Sequence, residues 1–132
     1  MQGISGIIYL ILAACLLPYV FTIIAKLSAG FKLKDNQNPR AFLEKSSGLA
    51  ARANAVQQNS FESLPLFIAA ILMAEYMVVS QKLVMLFGIA YIVLRILYGI
   101  CYLINWSTLR SIIWLLSMLC PITLLYLIMR LI

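Results

Sequence analysis

The chain has 132 residues, of which 64% are hydrophobic and 11% are charged, and its formal net charge is +6. Soluble domains are about half apolar and about a quarter charged, so this composition indicates an integral membrane protein with a single domain, residues 1–132. Six of the ten basic residues fall in or beside one polar segment instead of coating a surface, and we therefore expect no nucleic-acid partner.

The first apolar run covers about residues 4–25, which is long enough to cross about 30 Å of hydrocarbon. Pro18 lies inside it and is a position where a kink is expected. The first eleven residues contain no Lys or Arg, and the apolar run continues past Cys15. A retained membrane helix is therefore a better interpretation than a cleaved lipoprotein signal.

A polar stretch at about residues 26–48 follows, with loop and helix-start signals at Gly30 and at Asn38–Pro39. The six clustered basic residues are Lys26, Lys32, Lys34, Arg40, Lys45 and Arg52. Loops rich in Lys and Arg stay on the cytoplasmic side, so we expect this loop to be cytoplasmic, in a bacterial inner membrane.

Three further helices are predicted at about residues 49–77, 83–104 and 111–131, joined by two short turns. Backbone groups in lipid must be satisfied internally, so the prediction is an all-α integral membrane protein, a bundle of four transmembrane helices with both termini outside. The second helix would be roughly 43 Å long at 1.5 Å per residue, which exceeds the hydrocarbon thickness. Its polar amino end should project beyond the membrane or line a pocket.

Polar side chains form a stripe on the second helix. Arg52, Asn59 and Glu62 are separated by seven and three residues, so they lie within about 80° of one another. Ionisable groups in or beside membrane helices are functional candidates by default. The stripe is interpreted as part of a ligand-binding pocket, with a salt bridge between helices as the alternative.

The third helix carries a second stripe at i, i+4, i+7 and i+11 spacing, formed by Tyr91, Arg95, Tyr98 and Tyr102. Arg95 lies near the middle of its span, so a buried carboxylate partner is expected, and Glu62 is the best candidate. For Tyr98 the alternative to a ligand contact is packing. For Tyr102 it is packing or an interfacial aromatic belt.

The fourth helix begins at Arg110 and Ser111, where a guanidinium can reach a bound anion or a neighbouring subunit; an interfacial arginine is the alternative. The chain has no histidine, which excludes His-dependent triads and His metal sites, and we expect no metal. Arginine, tyrosine and serine must carry any chemistry. They can hold an anionic ligand and favour the thiolate form of a thiol.

These motifs resemble those of the MAPEG family, the membrane-associated proteins in eicosanoid and glutathione metabolism. The second helix reads R-A-x-A-x-x-x-N-x-x-E-x-x-P-L-F, the third R-x-x-Y-x-x-x-Y, and Arg110-Ser111 opens the fourth. Asn38-Pro39-Arg40 is similar to the bacterial branch. The resemblance covers most of the chain, in order.

The resemblance implies a homotrimer of four-helix bundles that binds glutathione, its cosubstrate, between subunits near the cytoplasmic side. The implied glutathione-binding residues are Arg52, Asn59, Glu62, Arg95, Tyr98 and Tyr102. Arg110 would stabilise the thiolate as the catalytic residue, with Ser111 as a hydrogen-bond donor. One position departs from the pattern: family enzymes of eukaryotes commonly have a further arginine where this chain has Ala55.

Three functions remain open at this point. The first is a membrane-bound glutathione-dependent transferase or peroxidase that acts on a lipophilic small molecule arriving through the bilayer. The second is a non-catalytic protein of the same fold that binds membrane lipids or acts as a scaffold, and Ala55 favours it. The third is a small multidrug exporter, a class that typically has a carboxylate in its first helix, where this chain has none.

Overall fold

Four long helices make up most of the structure, a computed structural model that describes residues 2–131, with side chains from residue 3 onward. A short 3-10 turn, Leu33–Gln37, and a helix of six residues lie between the first two long helices. The α-helices are α1 (Gln2–Ala29), α2 (Pro39–Glu44), α3 (Gly48–Tyr76), α4 (Gln81–Leu103) and α5 (Ser107–Leu131). The predicted all-α class is confirmed.

Local chemistry explains where these helices differ from the predicted bounds. α1 continues to Ala29 because Gly30 ends it in the left-handed region, with φ at +70°. α2 forms within the predicted loop because Pro39 occupies its first turn and Asn38 Oδ1 accepts a hydrogen bond from the Ala41 amide. α5 begins at Ser107, earlier than predicted, since its first turn is polar but still helical.

Three of the helices are long and apolar enough to cross a membrane: α1 from Gly3, α4 and α5. α3 is as long as α1, but its amino-terminal half is too polar to meet the same standard of hydropathy. The length and hydropathy of these three helices indicate an integral membrane protein.

Small residues bring α1 and α4 into close contact. A Cβ atom at Gly88 would lie 2.0 Å from Leu10 Cδ2, and one at Gly99 would lie 2.1 Å from Phe21 Cζ. Each apolar side chain thus fills a space that only glycine leaves, which is how membrane helices commonly pack. The main core, which includes Phe67 on α3, is formed by side chains of all four long helices.

Both ends of the bundle are defined by contacts between helix termini. At one end, Arg52 Nε near the start of α3 donates to the Leu103 carbonyl at the end of α4, at 3.1 Å. We call this the basic end, since Lys26, Arg40, Arg52 and Arg110 lie there. At the opposite end, Gln81 Nε2 donates to both carboxylate oxygens of Glu75, at 2.8 and 3.0 Å.

Candidate functional site

A cleft with a volume of about 240 Å³ opens at the basic end between α3, α4 and α5. Its lining residues are Asn59, Tyr98, Tyr102, Arg110, Ser111 and Trp114. We call it the Arg110 cleft. Five of the eight predicted site residues line it, and they come from three different helices. The arrangement offers one cation, two phenols, an amide and a hydroxyl to a bound molecule.

Among the described residues, Arg110 is the only charged side chain that lines this cleft. It lies on the first turn of α5, where its backbone N–H donates to the Trp106 carbonyl at 3.0 Å. The guanidinium carbon lies 4.2 Å from the centroid of the Tyr102 ring, which is a cation–π contact. This contact leaves the five N–H donors of the guanidinium free to bind an anion.

Ser111 also lines the cleft, but its hydroxyl donates to the Ser107 carbonyl at 3.1 Å. In this rotamer it offers lone pairs to the cleft, so the expected donor role requires rotation about the Cα–Cβ bond. Tyr98 is 5% exposed and packs edge-on against Tyr102, with 5.8 Å between their ring centroids. The two tyrosines therefore form one aromatic wall.

Arg95 lies behind this wall and is only 1% exposed. Its Nη2 donates to Asn59 Oδ1 at 2.8 Å and to Ser60 Oγ at 3.0 Å, and its Nη1 makes a longer contact of 3.5 Å with Ser117 Oγ. The guanidinium also lies 4.3 Å from the Tyr98 ring centroid. Its Nε has no hydrogen-bond partner among the described residues.

The expectation that Glu62 is the buried partner of Arg95 is wrong. Among residues 2–131 the guanidinium bonds only to neutral side chains. Glu62 is exposed and lines a different cavity, of about 320 Å³, together with Arg40 and Gln58. The planar guanidinium fork can distribute its charge over several neutral acceptors and a ring face, so a carboxylate is not required at this position.

Asn59 connects the buried arginine to the cleft. Because its Oδ1 accepts from Arg95, its amide NH₂ group is the part that is left for other partners. Asn59 also lines the Arg110 cleft, so the buried charge sets which end of the amide is left for the cleft. Arg95 itself does not line the cleft but lies behind the residues that do.

Arg52 does not line the cleft either. Its bond to the Leu103 carbonyl satisfies a backbone acceptor at the end of α4, where a positive charge is also favoured by the helix dipole. The predicted polar stripe of α3 is therefore divided among three locations. Arg52 contacts the α4 terminus, Asn59 the Arg110 cleft, and Glu62 the exterior of the bundle.

A model of the MAPEG family matches residues 6–130, nearly the whole chain. The chain belongs to the MAPEG family. No curated protein and no solved structure is significantly similar to it. Membership makes it one of a family of membrane proteins that generally use glutathione, of transferase or peroxidase type. The family resemblance predicted from the motifs is confirmed.

Three residues of this MAPEG chain were not identified as part of the site from sequence. Trp114 lines the cleft, although a tryptophan near the end of a membrane helix is ordinarily interpreted as an anchor or a packing residue. Ser60 and Ser117 hold Arg95 from α3 and α5. The sequence feature that could have identified the two serines is their position in apolar helices at the depth of a buried arginine. Hydroxyl groups in such positions commonly form hydrogen bonds between membrane helices.

Proposed function

We propose that this MAPEG protein is a membrane-bound, glutathione-dependent transferase or peroxidase that acts on lipophilic electrophiles. The observation that carries the proposal is the Arg110 cleft, in which one cation lies beside two tyrosines. The chain belongs to a family that generally uses glutathione. An anionic thiol compound is the ligand class that such a cleft suits, because the one charged group among its described lining residues is positive.

Each cleft residue then has a role. The guanidinium of Arg110 lowers the free energy of the thiolate relative to the thiol, since a nearby cation favours the anionic sulfur. Ser111 lies next to it and can direct its hydroxyl to the same sulfur after rotation. The Asn59 amide, Tyr98 and Tyr102 hold the peptide part of glutathione, while Arg95 acts through Asn59 and Tyr98.

The chemistry that follows is a nucleophilic attack by sulfur. In conjugation, the thiolate forms a C–S bond with the electrophilic carbon, and a leaving group departs with the electron pair. In a peroxidase reaction, the thiolate attacks a hydroperoxide oxygen and the O–O bond breaks. The sulfur takes the terminal oxygen as a sulfenic acid, the alkoxide leaves and takes up a proton to become the alcohol, and a second glutathione converts the sulfenic acid to a disulfide and water.

We also propose that the protein is a homotrimer of four-transmembrane-helix bundles with glutathione between subunits. Glu62 and Gln58 are exposed on α3, and a carboxylate facing lipid is costly, so a neighbouring copy would cover this face. The Arg52 and Glu62 side chains, which lie outside the cleft of their own chain, would then reach the glutathione bound at a subunit boundary. The basic end would face the cytoplasm of a bacterium, with both termini outside.

Calorimetric titration with glutathione in detergent, combined with absorbance of the bound thiolate, tests the proposal. Arg110→Ala should abolish the thiolate absorbance. Arg130→Ala is a matched control, because Arg130 is at the other end of α5 and lies 6.0 Å from the Tyr126 ring centroid. Unchanged thiolate absorbance in Arg110→Ala would show that the assigned role of Arg110 is wrong.

A second candidate function is a non-catalytic protein that binds lipid or acts as a scaffold. It is favoured by Ala55, which stands where family enzymes of eukaryotes commonly have an arginine, and by Arg52, whose Nε is already bonded to the Leu103 carbonyl. This function predicts that lipid copurifies with the protein and that glutathione releases no heat in the titration. Heat of glutathione binding that is lost in Arg110→Ala would contradict it.

A further inference from the structure

The segment between α1 and α2 presents one leucine almost fully to its surroundings. Leu33 is 94% exposed, more than any other large hydrophobic side chain among the described residues. Lys32 and Lys34, on either side of it, are exposed as well. We call residues 31–35 the Leu33 tip. These three side chains line neither the Arg110 cleft nor the 320 Å³ cavity beside α3, so the site already described does not account for them.

Hydrogen bonds and ring packing hold the Leu33 tip in place. The Lys32 backbone N–H donates to Asp35 Oδ2 at 2.8 Å, and the Asp35 N–H donates to the Lys32 carbonyl at 2.9 Å. The Phe31 ring packs edge-on against Phe42, with 5.2 Å between the ring centroids. A single exposed leucine is ordinary on a protein surface, but this one is displayed by a turn that its neighbours fix.

The Leu33 tip carries positive charge that its own acid does not neutralise. Asp35 is the one acidic residue of the tip, and its carboxylate accepts the Lys32 backbone N–H. Neither Lys32 nor Lys34 forms an ion pair with an acidic side chain among the residues whose side chains the structure describes. Two ammonium groups on either side of an apolar side chain form a surface that complements a negatively charged, partly apolar one.

The end of α1 holds the Leu33 tip at the boundary of the bilayer. α1 is long and apolar enough to cross a membrane, and its exposed apolar side chains continue to Leu27 in the last turn, which is 78% exposed. The Phe31 N–H donates to the Lys26 carbonyl at 3.0 Å, so the chain turns at the helix end instead of leaving it. Leu33 follows two residues later, with its Cα at most about 7 Å from that of Phe31.

We propose that the Leu33 tip docks onto the surface of an anionic lipid bilayer. Leu33 enters the headgroup layer close to the apolar face of α1 that ends at Leu27. Lys32 and Lys34 extend their ammonium groups to the lipid phosphates and keep their methylene chains at the apolar boundary. Charge complementarity and continuity with a helix that can cross the membrane are the reasons why the occupant is a lipid surface and not a second copy of the chain.

The experiment places the fluorophore NBD on Leu33→Cys in the full chain, with the three native cysteines replaced by alanine. The protein is reconstituted in nanodiscs of phosphatidylcholine, alone or mixed equally with phosphatidylglycerol, with a nitroxide quencher on some acyl chains. In the anionic mixture we expect blue-shifted emission that the nitroxide lipid quenches. Ser47→Cys is the control position, since Ser47 is exposed and its side chain makes no capping bond, and its emission should remain that of NBD in water.

Lysine variants test the contribution of charge. Lys34→Gln should lower the ratio of inserted to free tip, obtained from the quenched fraction, about fivefold, and Lys32→Gln/Lys34→Gln roughly 25-fold. Lys45→Gln is the matched control, because it removes an exposed lysine of the same polar segment that lies outside the tip. It should leave the ratio unchanged. An equal loss in Lys45→Gln would show general attraction to the basic end and overturn the proposal.

Hydrogen exchange of the unaltered chain provides a measurement without substitutions. The peptide that contains the Leu33 tip should exchange more slowly in the anionic nanodiscs than in phosphatidylcholine alone, and equal exchange in the two would overturn the proposal. Blue-shifted NBD emission that the nitroxide lipid does not quench would place Leu33 against another protein copy and overturn the lipid assignment. Emission as in water from Leu33→Cys in both bilayers would overturn it as well.

Discussion

Two arginines of this protein make the same aromatic contact in opposite surroundings. Arg95 lies 4.3 Å from the Tyr98 ring centroid and is 1% exposed, with three hydroxyl or amide partners. Arg110 lies 4.2 Å from the Tyr102 ring centroid and lines a cleft, where the structure gives its guanidinium no hydrogen bond. A cation beside a tyrosine is therefore not by itself a sign of a ligand site in this bundle.

The difference between them lies in what each charge is able to do. Every hydrogen bond of Arg95 holds another side chain in place, and a ligand cannot displace those partners without opening the bundle core. The guanidinium N–H groups of Arg110 have no hydrogen-bond partner among residues 2–131, and in the function proposed above they bind a molecule that enters the cleft. The same residue type thus holds the interior together at one depth and lines an open cleft at the end of the bundle.

The largest effect that separates the two arginines is expected from Arg110→Ala. Loss of a charge that stabilises an anionic sulfur should lower the rate of glutathione conjugation by about 100- to 1,000-fold, as removal of an oxyanion-stabilising donor does. The midpoint of thermal unfolding in detergent should not change, because few contacts are lost. Turnover and unfolding are measured on the same sample, and a destabilised Arg110→Ala would place Arg110 with Arg95 as a structural residue.

Arg95→Ala should have the reverse pattern. It leaves Asn59 and Ser60 without a buried donor and creates a cavity, which together should lower the free energy of unfolding by roughly 3 kcal/mol. Denaturation by sodium dodecyl sulfate in mixed micelles measures this change. An Arg95→Ala protein as stable as the unaltered chain would show that the polar network is not part of the scaffold.

Asn59→Ala breaks the connection between the two arginines. Its bond to Arg95 is the shortest in that network, at 2.8 Å, and its loss should cost about 1 kcal/mol of stability. Because Asn59 also lines the cleft, the dissociation constant of glutathione should increase about tenfold. Calorimetry and unfolding are the two measurements. A change in stability without a change in affinity would remove Asn59 from the binding site.

Ser117→Ala is expected to have the smallest effect. The contact of Ser117 with Arg95 is 3.5 Å long, and the hydroxyl already donates to the Trp114 carbonyl at 2.7 Å. Loss of the hydroxyl should cost about 0.5 kcal/mol and leave conjugation unchanged. Ser60→Ala is the comparison, since its contact with Arg95 is shorter at 3.0 Å and should matter more. The reverse order would contradict the ranking of these hydrogen bonds by length.

Much of the fold could be predicted from residue patterns alone. The apolar runs indicated membrane helices, and three helices meet that standard in the structure. Helix ends were less predictable, because Ser107 begins α5 with a polar turn while the apolar pattern begins later. α2 was missed because a six-residue helix has no periodicity to detect and depends on the Asn38 cap and Pro39.

The candidate site could be predicted in part. Helical spacing placed Tyr98 and Tyr102 on one face, and the structure packs them together. Spacing could not indicate that Arg95 would bond to neutral groups, because its nearest acceptors come from two other helices. The same limit explains why Glu62 was expected at Arg95 but faces outward instead.

The sequence by itself determined that this is a helical membrane protein of the MAPEG family, and which few polar residues it places in apolar helices. Only the tertiary structure decided which of those residues meet. Helical periodicity sets the angle of a side chain about its own axis, but the neighbour that it faces depends on how four helices pack. For this reason Arg110 opens onto a cleft and Arg95 is enclosed.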